Sequence, residues 1–205
     1  MDYTKVADDA VVAATVAALG ERNIEAHVVG TKAEALDLIK SFIPQGASVM
    51  NGSSRTLDEI GFLEYLKSGA HGWNNLKEAI TAETDPAKQA VLRKQSVLSD
   101  YYLGSVHALA QTGESIIASA SGSQLPHIAF TSPNIIFVVG TQKIVPTLAD
   151  AMERVEKHVF PLEDARMKST GAAGSVLAKE LIYRREPAMM GRKVRMILVK
   201  ESLGF

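Results

Sequence analysis

The chain contains no cysteine. That absence removes disulfides, thiolate metal sites, Cys-ligated iron–sulfur clusters and a cysteine nucleophile. Net charge is nearly absent as well: 22 Lys and Arg stand against 23 Asp and Glu, a formal balance of −1. Such a balance offers no electrostatic grip on nucleic acid or on an anionic membrane, so neither is expected as a partner. No stretch reaches the roughly 18 apolar residues that cross a bilayer. The opening residues include Asp2, Lys5, Asp8 and Asp9, which is not the basic start of a signal peptide. A cytoplasmic location is the expectation. Several motifs are missing too. There is no Walker A sequence and no Gly-x-Gly-x-x-Gly, which argues against a P-loop NTPase and a standard dinucleotide fold. No Gly-x-Ser-x-Gly elbow supports Ser-His-Asp catalysis. His27, His71, His107, His127 and His158 show no His-x-x-x-His spacing, so no metal is expected. No cofactor is expected either.

What is present is an ordinary globular composition, 46% hydrophobic and 22% charged over 205 residues. That length suits a single domain over 1–205, with a helix over 1–20 packed on it. Val6, Ala10, Ala13, Ala14, Ala17 and Ala18 recur at helical spacing and place that helix end near Gly20. Ile24 to Val29 reads as a strand. Thr31 and Glu34 form a capping-box pattern before an apolar stripe of Ala35, Leu38, Ile39 and Phe42. Ala47 to Met50 is a short strand, and Leu57, Ile60, Leu63 and Leu66 give a third helix its buried face. This β-α-β-α order at short spacing predicts an α/β fold with a mainly parallel sheet flanked by helices.

Further along, Asp85 to Ser99 reads as helix with Pro86 at its first position. Asp100 to Ala110 reads as two short extended pieces, and Ser115 to Ala118 as a strand. Ile135 to Val139 is a continuous apolar run, the best central strand. A helix follows Pro146. Residues 162–180 read as a surface excursion with weak helix, and Val194 to Val199 as the last strand.

In parallel sheets ligands bind beyond the carboxyl ends of the strands. Three loops fit that position. The first is Asn51 to Thr56, where Gly52, Ser53, Ser54 and Thr56 present backbone N–H groups and small hydroxyls to an anion. A serine there also reads as a plain helix cap. The second is Thr112-Gly113-Glu114 with Gly122-Ser123-Gln124 nearby, and the third is Gly140 to Lys143. If their strands are neighbours, the loops converge on one cleft. Glu114 is a candidate acid/base or nucleophile, against a reading as a solvated turn residue. Lys143 is a candidate to hold an anion or polarise a carbonyl, against a reading as a surface lysine.

The segments also resemble a known family in order. Gly52-Ser53-Ser54-Arg55-Thr56-Leu57-Asp58-Glu59-Ile60-Gly61 resembles the Gly-Ser-x-Thr-Leu-x-Glu-Ile-Gly segment of the LUD domain, found in LutC/YkgG-like lactate-utilisation proteins. Ala110 to Glu114 resembles that family's Ala-Glu-Thr-Gly-Thr turn, and Val138 to Pro146 its Val-Val-Gly-x-Asn-Lys-Ile-Val segment. The closing Ile197 to Phe205 also fits. The resemblance implies a fold like the NagB/RpiA/CoA-transferase group. It implies a part in oxidising L-lactate to pyruvate beside iron–sulfur partner subunits, with a small anionic metabolite as ligand. It leaves open an accessory or regulatory subunit, a stand-alone enzyme of the CoA-transferase or sugar-phosphate isomerase type, and a ligand sensor without chemistry. Two departures stand out. Many family members carry cysteines where this chain has Ser169 to Gly174, and Gln111 and Glu114 replace the usual Glu and Thr.

Overall fold

The computed structural model describes all of residues 1–205. Helix α1 spans Asp9–Glu21, and Asp8 caps it by accepting the Val11 amide at 2.9 Å. Gly20 stays helical; the left-handed residue that turns the chain is Asn23, at φ 58°. Strand β1 (Glu25–Val29) leads to α2 (Lys32–Phe42), whose cap Thr31 accepts the Glu34 amide. Strand β2 covers Ser48–Asn51. The expected third helix is two short ones, α3 (Arg55–Glu59) and α4 (Phe62–Lys67). Gly61 breaks it at φ 80°, a backbone angle that glycine adopts freely. Ile60 and Leu66 still reach the same core across the break.

Strand β3 (Asn74–Asn75), α5 (Leu76–Ala82) and α6 (Pro86–Gln95) follow. Asp85 caps α6 with Pro86 at the first position, as the sequence suggests. Next come β4 (Tyr101–Gly104), β5 (Ala108–Ala110), β6 (Ser115–Ser119), β7 (Asn134–Gly140) and β8 (Ile144–Val145). A capping box of Thr147 and Asp150 starts α7 (Leu148–Arg154). A π-helical turn over Val155–Val159 carries that helix on into α8 (Phe160–Ser169). Of residues 162–180, expected as a surface excursion with weak helix, those up to Ser169 extend a longer helix and the rest are irregular as far as β9 (Lys179–Tyr183). The closing strand β10 (Lys193–Val199) follows.

The fold is α/β. Its main sheet is parallel throughout, in the order β1-β10-β7-β4-β2-β3. The apolar run of β7 lies inside it, between β10 and β4, and both of its faces are covered. Ile135, Phe137 and Val139 join one core with Val12, Leu19, Leu109 and Ile117. Ile136 and Val138 join the other with Ile39, Leu57, Phe62 and Trp73. This alternation is what a twice-covered parallel strand requires. A second, four-stranded sheet in the order β8-β5-β6-β9 mixes parallel and antiparallel pairs. Its Leu109 and Ile117 face the main sheet, while Ala108 and Ile116 pack on Ala151 and Val155.

Candidate functional site

The carboxyl ends of β2 and β4, together with the turn that follows β7, border a cavity of about 1080 Å³. The opening loop supplies Gly52, Ser53, Ser54 and Thr56, the segment after β4 supplies Ser105 and His107, and the loop after β6 supplies Ser123 and Gln124. Lys143 reaches it from the turn after β7. An apolar wall of Val155, Val159, Phe160 and Leu177 closes another side.

Lys143 is the centre of its polar end. Its side chain is almost wholly buried, at 3% exposure. Nζ donates to Thr56 Oγ1 at 3.0 Å, Ser105 Oγ at 3.2 Å and the Val106 carbonyl at 3.3 Å. No side-chain carboxylate pairs with it. Burial, and then the nearby Arg154 charge, push its pKa down to about 7, against a smaller opposing pull from Glu59. Desolvation disfavours the ammonium because a buried ion loses its hydration.

His107, which the sequence leaves as a structural or surface histidine beside a candidate loop, lines this end, and Arg154 stands behind it. His107 Nδ1 accepts the Ala118 amide at 3.0 Å. Its proton therefore sits on Nε2. Burial, then the charges of Lys143 and Arg154, lower its pKa to about 3, so it is a neutral donor at the cavity wall. Arg154 is fully buried, bonded to the His107 carbonyl and, at longer range, to the main-chain oxygens of Phe205 (3.3 Å) and Tyr3 (3.4 Å). Burial lowers its pKa to about 10. His107 flanks a candidate loop, which is the only signal that pointed toward it. Nothing in the sequence distinguishes Arg154 from a surface helical arginine.

The remaining candidates divide. Ser54 Oγ accepts the Leu57 amide at 3.3 Å, so it caps α3 and lines the cavity at once. Helix α3 has only five residues, so its dipole adds little. Gln124 is fixed by donating to the Ala118 carbonyl at 2.9 Å and accepting from Tyr102. Tyr102 in turn stacks on His127 at 4.5 Å, and burial lowers the His127 pKa to about 4. Gly52 is needed where it stands, since a Cβ there meets the Tyr102 hydroxyl at 2.6 Å. Gly122 and Gly140 do not line the cavity. Gly122 turns its loop at φ 84°, and Gly140 lies under the closing segment near Glu201 and Leu203.

The turn Thr112-Gly113-Glu114 stands apart from the cavity. Arg22 Nη2 donates to Glu114 Oε1 at 2.8 Å, Arg22 Nε to the Thr112 carbonyl at 2.7 Å, and Thr112 Oγ1 to Glu114 Oε2 at 2.5 Å. The expected meeting of all three loops is thus replaced by the meeting of the first, the third and the Ser123-Gln124 part of the second. The reason is topological: the β5–β6 turn and the β6 carboxyl end lie at opposite ends of one antiparallel pair. Burial works to raise the Glu114 pKa, but its hydrogen bonds and the Arg22 and Arg184 charges outweigh it and hold the group below the ordinary glutamate value. Its contribution to stability is complete above that ordinary value and is lost as pH falls through the lowered one. Glu114→Gln should therefore cost on the order of 1–2 kcal/mol at neutral pH and leave ligand binding unchanged. Urea melts at pH 7 and calorimetric titration of ligand check both parts; weakened binding would tie this turn to the cavity.

The parallel sheet, with a cavity at its strand ends and a buried amine inside, places the chain among α/β proteins of the open-sheet class. The LUD domain model matches residues 12–179, and the chain belongs to the LUD-domain family. Membership relates it to lactate utilisation at the level of the family. The crystal structure of a DUF162 family protein from Deinococcus radiodurans is similar, with a TM-score of 0.55 and 13% identity over 95% of this chain and 99% of that one. At that identity the likeness speaks for the fold. No curated protein matches the sequence. No helix is long and apolar enough to cross a membrane.

Proposed function

We propose that this protein acts in L-lactate utilisation in the manner of LutC, as an accessory or regulatory subunit that holds a small anionic metabolite in the cavity. The observation that carries this reading is Lys143: a buried amine at the cavity wall with hydroxyl and carbonyl partners and no carboxylate. A ligand anion supplies the missing opposite charge. Ser53, Ser54, Thr56 and Ser123 supply hydroxyl donors beside it, and neutral His107 adds an N–H. Asp58, Glu78 and Glu163 line the same cavity, and Glu163 is held by Arg166 at 2.6 Å. Electron transfer falls to iron–sulfur partner subunits, because this chain has no thiolate to hold a cluster.

A thermal-shift screen against lactate, pyruvate, acyl-CoAs, sugar phosphates, folates and nucleotides tests the binding step. A ligand at about 100 times its Kd stabilises the native state by about 2.7 kcal/mol. The expected result is a shift with a small carboxylate that disappears in Lys143→Ala. No shift with any of these compounds overturns metabolite binding by this chain. Co-purification with iron–sulfur lactate-oxidation subunits tests the subunit role separately.

A further inference from the structure

We propose that Lys143 is a nucleophile that forms an imine with the carbonyl group of the bound metabolite, so that the ligand is a small oxo acid. The inference rests on the anion-binding reading above and narrows it. A hydroxy acid offers no carbonyl for an amine to attack; an oxo acid offers both a carboxylate and a ketone or aldehyde.

Three features of the site lead there. The first is the partner set of Nζ. An ammonium has three protons to give, and Thr56 Oγ1, Ser105 Oγ and the Val106 carbonyl accept them. A neutral amine has two protons and a lone pair. Either hydroxyl can then turn and donate to that lone pair, because a hydroxyl is both donor and acceptor. The site thus accommodates both protonation states, which a carboxylate partner would not do. The second is the field. Arg154 lies behind the site and His107 beside it is neutral, while Glu59 is engaged by the Gly204 amide at 2.7 Å and by Arg55 at 3.1 Å. Burial and the arginine therefore favour the amine, the form that attacks carbonyls. The third is placement. Lys143 lies on a buried turn directly after the central strand β7, with Thr141 and Gln142 buried alongside it, so the amine is held on a rigid support.

The step balances without any further reagent. The Lys143 lone pair forms a C–N bond to the carbonyl carbon, and the C=O π pair moves to oxygen. A proton passes from nitrogen to that oxygen, with Ser105 or Thr56 as the relay, to give the carbinolamine. The C–O bond then breaks as the nitrogen lone pair forms C=N. The hydroxyl leaves as water after taking a proton from solvent, and the nitrogen returns a proton to solvent to give the imine or keeps it as the iminium.

Reductive trapping tests this on the intact protein. The chain is incubated at pH 7 with pyruvate or glyoxylate and sodium cyanoborohydride, digested, and mapped by mass spectrometry. At that pH a lysine with a pKa near 7 has an amine fraction about a thousandfold above a surface lysine. The expected result is a reduced adduct at Lys143 at least about tenfold above any other lysine, suppressed by excess L-lactate as a non-covalent competitor. Lys143→Arg, which keeps a charge, should show no adduct while retaining part of the thermal shift. A pyruvate-dependent shift with no adduct at Lys143 overturns the imine and leaves anion binding standing. Absence of both shift and adduct overturns the two together.

Discussion

Lys143→Met should melt no lower than the parent protein at pH 7 and should lose all response to ligand. The buried amine is a burden on the fold before it is a support. Its pKa in the native state is about 7, against an ordinary 10.5. Between those values the unfolded chain binds more protons than the folded one, so parent stability rises with pH across the window. The slope reaches about 1.4 kcal/mol per pH unit from this one group. Methionine has a similar volume and no charge, and replacing a buried ion with an apolar group is often neutral or stabilising by about 1–4 kcal/mol. The hydroxyls it abandons have other acceptors: Thr56 already reaches the Leu203 carbonyl at 3.4 Å and Ser105 the Val106 carbonyl at 3.3 Å. Urea melts of both proteins from pH 7 to 10 check the claim. The parent should gain stability relative to the variant as pH rises; parallel profiles would mean that the lysine is charged in the folded protein and that its nucleophilic role is lost with it.

Gly140→Ala should lower stability by about 3 kcal/mol, through overpacking against backbone that has no room to yield. A Cβ at this position meets the Glu201 carbonyl and the Leu203 amide, each at 2.7 Å, and runs into Gln142 Oε1. Gln142 is itself tied to the Leu203 carbonyl at 2.8 Å. The alanine therefore pushes the closing segment off the end of β7. Gly204 moves with it, and Gly204 sits where a Cβ would come within 3.2 Å of Lys143 Nζ. For a chain of this size the loss corresponds to about 6–12 °C in Tm. A variant that melts within about 2 °C of the parent would show that the segment can slide without cost.

Local signals in this sequence are legible and distant ones are not. Asp85-Pro86 and Thr31-x-x-Glu34 mark helix starts because caps act within one turn. The β7 run is legible because a strand covered on both faces must be apolar throughout. The pairings were not legible. Strand β10 inserts between β1 and β7, setting Arg195 opposite Glu25, and nothing near either residue announces it. Strand β9 and its sheet were hidden for the same reason, since Lys179 and Glu180 are exposed edge residues without alternation. The candidate site divides along the same line. Gly52 to Thr56 is a contiguous motif, legible as a candidate, and it lines the cavity. The cluster of Lys143, His107 and Arg154 draws on the turn after β7, the segment after β4 and the end of α7, and only its lysine stands in a recognisable segment. Glu114 looked chemical by residue type, yet its partners, Arg22 and Arg184, lie far away in sequence.

The π-helical turn at Val155–Val159 sets the angular phase of everything after it. A π turn holds one residue more than an α turn, so it redirects the helical face that follows. Each residue of an α-helix advances the side-chain direction by about 100°. Without the extra residue, α8 would begin about 100° out of step. Phe160, Glu163 and Arg166, which now face the cavity, would point elsewhere, although their sequence and helical propensity would be unchanged. The shape of the apolar wall is thus encoded less in which residues α8 carries than in the count of residues that precede it.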